Sequence, residues 1–553
     1  MTATVTIERN LVVCRVQYNE DILAVLKSVP GGVWNRRYGA WEYPLSGWSV
    51  FELRRKLAPF VTVRASPEAE KLEERALRAL AAHREPGQFS LPESKTVPWQ
   101  HQQRGFCFVR TIWGEDGGAA ALWWEMGTGK SRVAVDLVQS YGFARTLILC
   151  PKHVMDVWPA QFAEHAIEPP PVFVLEQEAV SDRAAYLNKV LPLHDRVVFV
   201  ANQEGCWREP LATALLKADF DCLISDEHHR LKQHDGKAAT FVAKLARQVP
   251  FILALSGTPL PHSPLDAFQQ YRILDPGIFG NFFTRFKDRY AVAGGYRVNG
   301  KPVQIVGWKN LEDLHERMYR IAYRIEASDV LDLPQSLDIV RTCELEPKAR
   351  AAYNQLAREF VADVENGRIT ATNALVKLLR LQQITSGDVT NDSGVTVAVS
   401  NAKSELLENV LADMPENEPV VIFARFHADL DRIKAVCRKL GRTVSELSGR
   451  MHNLKEWETG KTTVLAAQIA TGGLGISLVR AHYCIFYSLG FNLAEFLQAK
   501  ARVNRPGQHF PVRYIYLLAK RTVDAQVYSA LARRQDVVES ILAGVKQLAL
   551  DSA

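Results

Sequence analysis

Trp123-Trp124-Glu125-Met126-Gly127-Thr128-Gly129-Lys130-Ser131-Arg132-Val133-Ala134-Val135-Asp136-Leu137-Val138 sets a glycine-flanked Lys-Ser pair between an apolar run, AALWW, and a stretch whose apolar residues recur at helical spacing. A strand, a glycine loop and a helix in that order form a phosphate loop. The glycines let backbone N–H groups turn onto phosphate oxygens, the helix N-terminus adds positive potential, Lys130 reaches the β- and γ-phosphates, and Ser131 ligates magnesium. The pattern G-x-x-x-x-G-K-[ST] is broken at its first position, where Trp124 stands. Taken alone, the segment also reads as a glycine-rich turn with a solvated lysine.

Working outward, the apolar runs RTLILCP, RVVFVAN, DCLISDE and FILALSG follow one another, separated by helix-sized intervals. That order predicts a parallel sheet covered by helices on both faces. At the end of DCLIS stands Asp226-Glu227-His228-His229, two carboxylates at the carboxyl edge of a sheet, where such folds bind ligands. Asp226 there suits magnesium, and Glu227 suits positioning or deprotonating an attacking water. The next run ends in Leu255-Ser256-Gly257-Thr258-Pro259, whose hydroxyls would couple the nucleotide site to a second lobe, or make only a turn.

A second series, PVVIFARF, TTVLAAQI, HYCIFYSL and VRYIYLLAK, comes after a mainly helical middle and predicts a second lobe of the same kind. In it, Gln498-Ala499-Lys500-Ala501-Arg502-Val503-Asn504-Arg505 is expected to present Arg502 and Arg505 on one helical face. A guanidinium fork is well matched to a γ-phosphate, although in isolation the segment also reads as a basic surface helix.

The expected layout is α/β. A small α+β module spans 1–65, a helical linker 66–94, a RecA-like ATP-binding lobe 95–280, a mainly helical connection 281–400 and a second RecA-like lobe 401–553. At 553 residues, 47% hydrophobic and 23% charged, the chain is too apolar for a disordered protein and too long for one small binding module. A net charge of +6 is compatible with a polyanionic partner. The start MTATVTIERN has no basic-then-apolar leader, and no run of 18 apolar residues occurs, so neither secretion nor a membrane partner is expected. Eight scattered cysteines form no C-x-x-C pair, which points to reduced thiols, no zinc and a cytoplasmic protein.

With these residues in hand, the chain resembles a superfamily-two helicase of the Swi/Snf branch over roughly 95–535. WQHQQRG, EMGTGKS, ILCPKHVMDVW, ISDEHHRLKQ and LSGTPLPHSPLDAFQQYRILDP follow the first lobe's motif order. IEASDVLDLP and LLRLQQITSG are similar to the family's connection, and VVIFARF, AAQIATGGLGISL and QAKARVNRPGQ to its second lobe. The resemblance implies an ATP- and Mg2+-dependent, DNA-stimulated ATPase that translocates on double-stranded or forked DNA. It assigns Lys130, Glu227, Arg502 and Arg505 to catalysis, the arginines acting as fingers on the γ-phosphate. Gln102, Gly127, Thr128, Gly129, Lys130, Ser131, Asp226 and Gln498 would bind the nucleotide, and Ser131 and Asp226 the metal. Thr471-Gly472-Gly473-Leu474-Gly475 would meet the lobe interface and the DNA backbone, where small residues allow close approach.

His228 stands where the family has Ala and is expected at the lobe interface, Phe491 replaces a frequent Trp, and LPHS replaces the usual loop after Gly-Thr-Pro. PGGVWNRRYGAWEYPL is similar to the hairpin of the HARP module of annealing motors acting at forks. There Arg36 and Arg37 would bind phosphate while Trp34, Tyr38 or Trp41 stacks on a base, or the aromatics would build a small core beneath solvated arginines. The compact build points to a bacterium or its phage and is compatible with a monomer. Two other functions stay open: a non-hydrolysing, ATP-gated DNA-binding scaffold, and an RNA-directed motor.

Overall fold

The computed structural model describes residues 2–261, 263–298, 301–365, 371–390, 396–470 and 476–533, which fall into two compact units, Met1–Val330 and Leu331–Ala553. In the first unit, β1 (Thr2–Glu8) and β2 (Leu11–Arg15) form an antiparallel hairpin. Arg9 and Asn10 join them at φ 53° and 59°. A two-residue turn with both φ positive has the twist that tight hairpins favour. β3 (Val33–Asn35), β4 (Ala40–Pro44) and β5 (Thr62–Ala65) complete a sheet of order β3-β4-β2-β1-β5. Val5, Val12, Cys14, Trp41 and Tyr43 of the sheet close over Ile22, Leu26, Leu53 and Leu57 from the helices Glu20–Ser28 and Gly47–Leu57.

The helix Gly47–Leu57 has a second buried face. Trp48 joins the main core of the unit, and Glu52, fully buried, pairs with Arg320 at 2.7 Å. The Arg320 guanidinium also lies 4.7 Å from the centre of the Trp48 ring. Arg285 donates to the Gly32 carbonyl at 2.7 Å. The amino-terminal sheet is therefore built into the first unit. The segment expected as a linker is built in as well. Its helix Pro67–Arg84, started by Ser66 accepting from the Ala69 N–H, buries Ala69, Ala76, Ala79 and Ala82, and Arg75 and Arg78 bind Asp116. Ala76, Ala79 and Ala82, three residues apart along one face, give a close-packing stripe, which linkers do not need.

The main sheet is wholly parallel. β6 (Gly118–Trp124), β7 (Arg145–Cys150), β8 (Val172–Val174), β9 (Val197–Asn202), β10 (Cys222–Ser225) and β11 (Phe251–Leu255) are nearly all buried and apolar, as strands covered on both faces must be. A hairpin, β12 (Ala291–Val298) and β13 (Lys301–Trp308), follows, and then β14 (Ala322–Ile325) joins the sheet beside β6. The order is β14-β6-β11-β10-β7-β9-β8.

In the second unit, β15 (Ser336–Cys343), β18 (Val420–Ala424), β19 (Val444–Leu447), β20 (Val464–Gln468), β21 (Tyr483–Phe486) and β22 (Val512–Ala519) form another parallel sheet, of order β15-β22-β21-β18-β20-β19. A short hairpin, β16 (Asp388–Thr390) and β17 (Thr396–Ala398), stands apart from it. The stretch 281–400, expected to be mainly helical, thus gives one edge strand to each sheet. Edge strands such as AYRI and SLDIVRTC carry exposed polar residues, which mask the apolar run that marks a central strand.

Candidate nucleotide site

Three neighbouring strands, β6, β11 and β10, end on the same edge and deliver three loops side by side. The loop after β6 runs Glu125 to Gly129, where Gly127 and Gly129 have φ of +80° and +78°, and opens the helix Lys130–Tyr141. Only glycine adopts that backbone without strain. Space is equally restrictive: a Cβ at Gly129 would lie 2.0 Å from Nε2 of Gln102. Thr128, fully buried, donates its hydroxyl to the Glu125 carbonyl at 2.7 Å and closes the loop. Lys130 donates to the carbonyls of Trp124 and Glu125 at 2.9 and 3.2 Å, and Ser131 is the next residue of the helix.

Gln102 braces the loop from outside. On the helix Gln100–Trp113, its Oε1 accepts from the Trp99 N–H at 2.8 Å and its Nε2 faces the carbonyls of Thr128 and Gly129 at 3.4 and 3.5 Å. His101, which the sequence did not single out, places Nε2 2.8 Å from the Thr128 carbonyl.

The loop after β10 begins with Asp226 and Glu227. Burial first, and then the neighbouring Glu227 charge, push the Asp226 carboxyl well above the ordinary carboxylate range, against the pull of Lys130 and of hydrogen bonds from the Glu227 N–H and Trp158. Glu227 has φ of 48°, uncommon for a residue with a side chain. Its Oε2 lies 3.3 Å from Nδ1 of His229, which in turn stands 3.0 Å from Oγ of Ser256 in the loop after β11. Oγ of Ser256 also accepts from the Thr258 N–H at 3.2 Å. The carboxylate and the Ser-Gly-Thr turn are therefore joined through one imidazole.

His228, expected at the lobe interface, has its partners inside the first unit. It is fully buried in the first unit, its Nδ1 2.8 Å from Oγ of Ser225, its Nε2 3.3 Å from the Gln270 carbonyl, and its ring stacked 6.2 Å from Trp123. Burial lowers its pKa to about 4, so it is neutral near pH 7.

In the second unit, the helix Leu493–Val503 carries Gln498, buried, and Arg502, partly exposed. Arg505 lies beyond the helix, contrary to expectation. Asn504, the C-cap, is already extended, and Pro506 disfavours helical backbone at Arg505, the residue before it. The Arg505 guanidinium instead donates to the Ile476 carbonyl at 3.3 Å, and burial lowers its pKa. The Thr471 to Gly475 motif lies outside the described residues. Phe491 stacks under Arg425 at 4.2 Å.

The amino-terminal hairpin divides its aromatics. Trp41 and Tyr43 are core, whereas Trp34 and Tyr38 are 48% and 41% exposed beside the exposed Arg36 and Arg37. Tyr38 is covered by Arg9, whose guanidinium sits 3.5 Å above the ring. Among the described residues no helix is long and apolar enough to cross a membrane.

The donor set of the first unit fits a magnesium-bound triphosphate. It comprises a glycine loop opening a 12-residue helix, a lysine now occupied by loop carbonyls, a hydroxyl at the second helical position and a buried carboxylate.

Comparison with known proteins agrees with that chemistry. The family described as SNF2-related domain matches residues 101–388, just over half of the chain, and the helicase conserved C-terminal domain matches residues 402–507. The chain is similar to putative protein p41 of Acyrthosiphon pisum secondary endosymbiont phage 1, at 24% identity over 77% of this chain and 95% of that protein. It is similar to the SWI/SNF-related matrix-associated actin-dependent regulator of chromatin subfamily A-like protein 1 of Drosophila melanogaster, at 24% identity over 95% of this chain and 66% of that protein. It is also similar to the DNA annealing helicase and endonuclease ZRANB3 of Bos taurus, at 24% identity over 61% of this chain and 31% of that protein.

Proposed function

The chain belongs to the SNF2-related family, and on that premise we propose that it is an ATP-driven motor that translocates on double-stranded or forked DNA. The observation that carries this reading is the set of three adjacent loops. A phosphate loop, an acid pair and a Ser-Gly-Thr turn stand on neighbouring strands, with Glu227, His229 and Ser256 in one chain of contacts. A scaffold that only bound ATP would need the loop and the metal-holding Asp226 and would have no use for Glu227.

In this reading Gly127, Thr128 and Gly129 shape the loop around the triphosphate and Gln102 holds it from behind. Lys130 exchanges its carbonyl partners for the β- and γ-phosphates. Ser131 and Asp226 hold Mg2+, which supplies charge neutralisation on the phosphate oxygens. Glu227 orients the attacking water and receives its proton. Arg502, Arg505 and Gln498 have their roles from the family resemblance, the arginines offsetting charge that develops on the γ-phosphate. The DNA-acting bovine relative favours DNA over RNA.

Fork remodelling or strand annealing is a second, narrower use. Trp34 is exposed on the hairpin beside Arg36 and Arg37, a base-stacking platform next to phosphate-binding charge. A bacterial or phage source accords with the phage relative.

The test is ATP hydrolysis with no nucleic acid, single-stranded DNA, forked DNA, plain duplex and RNA, each across a salt series. Stimulation by duplex or fork that fades with salt is expected, since phosphate contacts release counterions. Stimulation by RNA alone would transfer the assignment to an RNA motor, and no hydrolysis with any of them would support the scaffold.

A further inference from the structure

Glu227 is aimed by a backbone that does not hold itself. At φ 48° it sits in the left-handed region, which a residue with a Cβ leaves unless its neighbours prevent it. The orientation of the peptide between Asp226 and Glu227 decides where the Glu227 carboxylate points. The N–H of that peptide is held at 2.9 Å by the Asp226 carboxylate. Its carbonyl is held by Gln203, which stands just past the end of β9 and is 1% exposed. Nε2 of Gln203 donates to the Asp226 carbonyl at 2.6 Å and lies 3.3 and 3.4 Å from the Leu149 carbonyl and Oγ of Ser225.

The next residue makes a second link to the same segment. Glu204 accepts from Arg230 at 2.7 Å, and the Arg230 N–H donates to the Glu227 carbonyl at 2.9 Å. The turn after β9 therefore grips the acid pair from both sides, through a buried amide before Glu227 and an ion pair after it. We propose that Gln203 and Glu204 are positioning residues for ATP hydrolysis, a clamp that keeps Glu227 in its left-handed conformation with its carboxylate aimed at the attacking water. The proposal rests on the reading of Glu227 given above.

The amide is the stronger arm. A buried carbonyl that loses the donor held at 2.6 Å regains one by rotating, and rotation of the Asp226–Glu227 peptide carries φ of Glu227 back to negative values. Such a flip moves the carboxylate without disturbing the phosphate loop, whose contacts come from Gln102, His101 and its own residues. The clamp therefore acts on turnover and leaves nucleotide affinity alone. The ion pair is exposed at both ends, and its worth lies in fixing the His228–Leu231 turn in one place.

The experiment compares the wild-type full chain with Gln203→Met, Glu204→Arg, Arg230→Glu, the double swap Glu204→Arg/Arg230→Glu, and Glu227→Gln. It measures kcat and KM for ATP at saturating duplex DNA, and Kd for a fluorescent ATP analogue. Gln203→Met keeps the volume and removes the donor. It should lose about tenfold in kcat, the effect of about one hydrogen bond, with KM and Kd within about twofold of wild type. Each charge reversal should lower kcat by about threefold with KM and Kd unchanged, a split that general loss of structure would not give, and the double swap should restore kcat because the two charges act as a pair.

Gln203→Met with wild-type kcat beside an inactive Glu227→Gln would overturn the clamp alone. So would a loss confined to KM or Kd. Should Gln203→Met not fold, the exposed pair decides: losses in the single reversals with recovery in the double support the clamp, and no loss, or no recovery, overturns it. Wild-type turnover in Glu227→Gln would overturn the reading of Glu227 and the clamp with it.

Discussion

Replacing Glu52 by Gln removes one charge from the first unit and nothing else of its shape. Glu52 is fully buried and bound to Arg320 at 2.7 Å, with Lys56 and Arg55 at 3.3 and 3.4 Å. Burial by itself would raise this carboxyl, but Arg320, with Lys56 and Arg317, holds it down at about 2, against an ordinary 4.5. A displacement of that size corresponds to about 3 kcal/mol of folding free energy. That agrees with the cost of roughly 3–5 kcal/mol for breaking a buried pair.

Because the folded pKa is the lower one, the contribution is complete above pH 4.5 and lost as pH falls toward 2. The assay is urea unfolding followed by tryptophan fluorescence. All tryptophans except Trp457 precede Leu331, so the signal reports the first unit. At pH 7, E52Q should unfold at a urea concentration lower by about 1 M, taking a slope on the order of 3 kcal/mol/M. The gap should narrow as the pH falls below 4.5 and close toward pH 2. A midpoint unchanged at pH 7, or a gap that persists unchanged at low pH, would refute the assignment of this pair as what seats the amino-terminal sheet on the main core.

Lys130→Ala should lower kcat by on the order of a hundredfold or more, since no other described cation lies in the phosphate loop; DNA-stimulated hydrolysis at the wild-type rate would sink the nucleotide site. His228 is held neutral with a pKa of about 4 against an ordinary 6.5. Stability should fall by up to about 3 kcal/mol between pH 6.5 and 4, where the unfolded chain binds the proton and the folded one does not. His228→Gln should remove that acid sensitivity while costing about 1–3 kcal/mol at pH 7 through imperfect bonds to Ser225 and Gln270, both read from melting temperatures across pH. Asp226, its carboxyl raised by burial and by the Glu227 charge, must lose a proton to hold a metal. The Mg2+ concentration needed for half-maximal hydrolysis should therefore rise as pH falls, and a flat dependence in a metal titration would count against it. Trp34→Ala should weaken binding to forked DNA and leave plain duplex unaffected, compared side by side in a salt series; equal losses on both would leave the hairpin without a part in fork choice.

The sequence by itself determined what depends on local order. A glycine loop between an apolar run and an amphipathic helix, and a carboxylate pair closing another apolar run, are legible because strand, loop and helix each leave a short-range pattern, and because the chemistry sits on the loops. The α/β class, the paired lobes and the candidate residues Lys130, Asp226 and Glu227 were within reach for that reason, whereas Gln102 came from the family resemblance. What only the tertiary structure decided depends on partners far apart in the chain. Glu52 looks like one more charge on a helix until Arg320, 268 residues away, closes on it. His228 looks like an interface substitution until Gln270 and Trp123 bury it. Arg505 leaves its helix because of the proline that follows, a local signal outweighed in the reading by the spacing of two arginines. Gln203 gave no signal at all, because an amide that holds a carbonyl through a single hydrogen bond is recognised only by where that carbonyl lies.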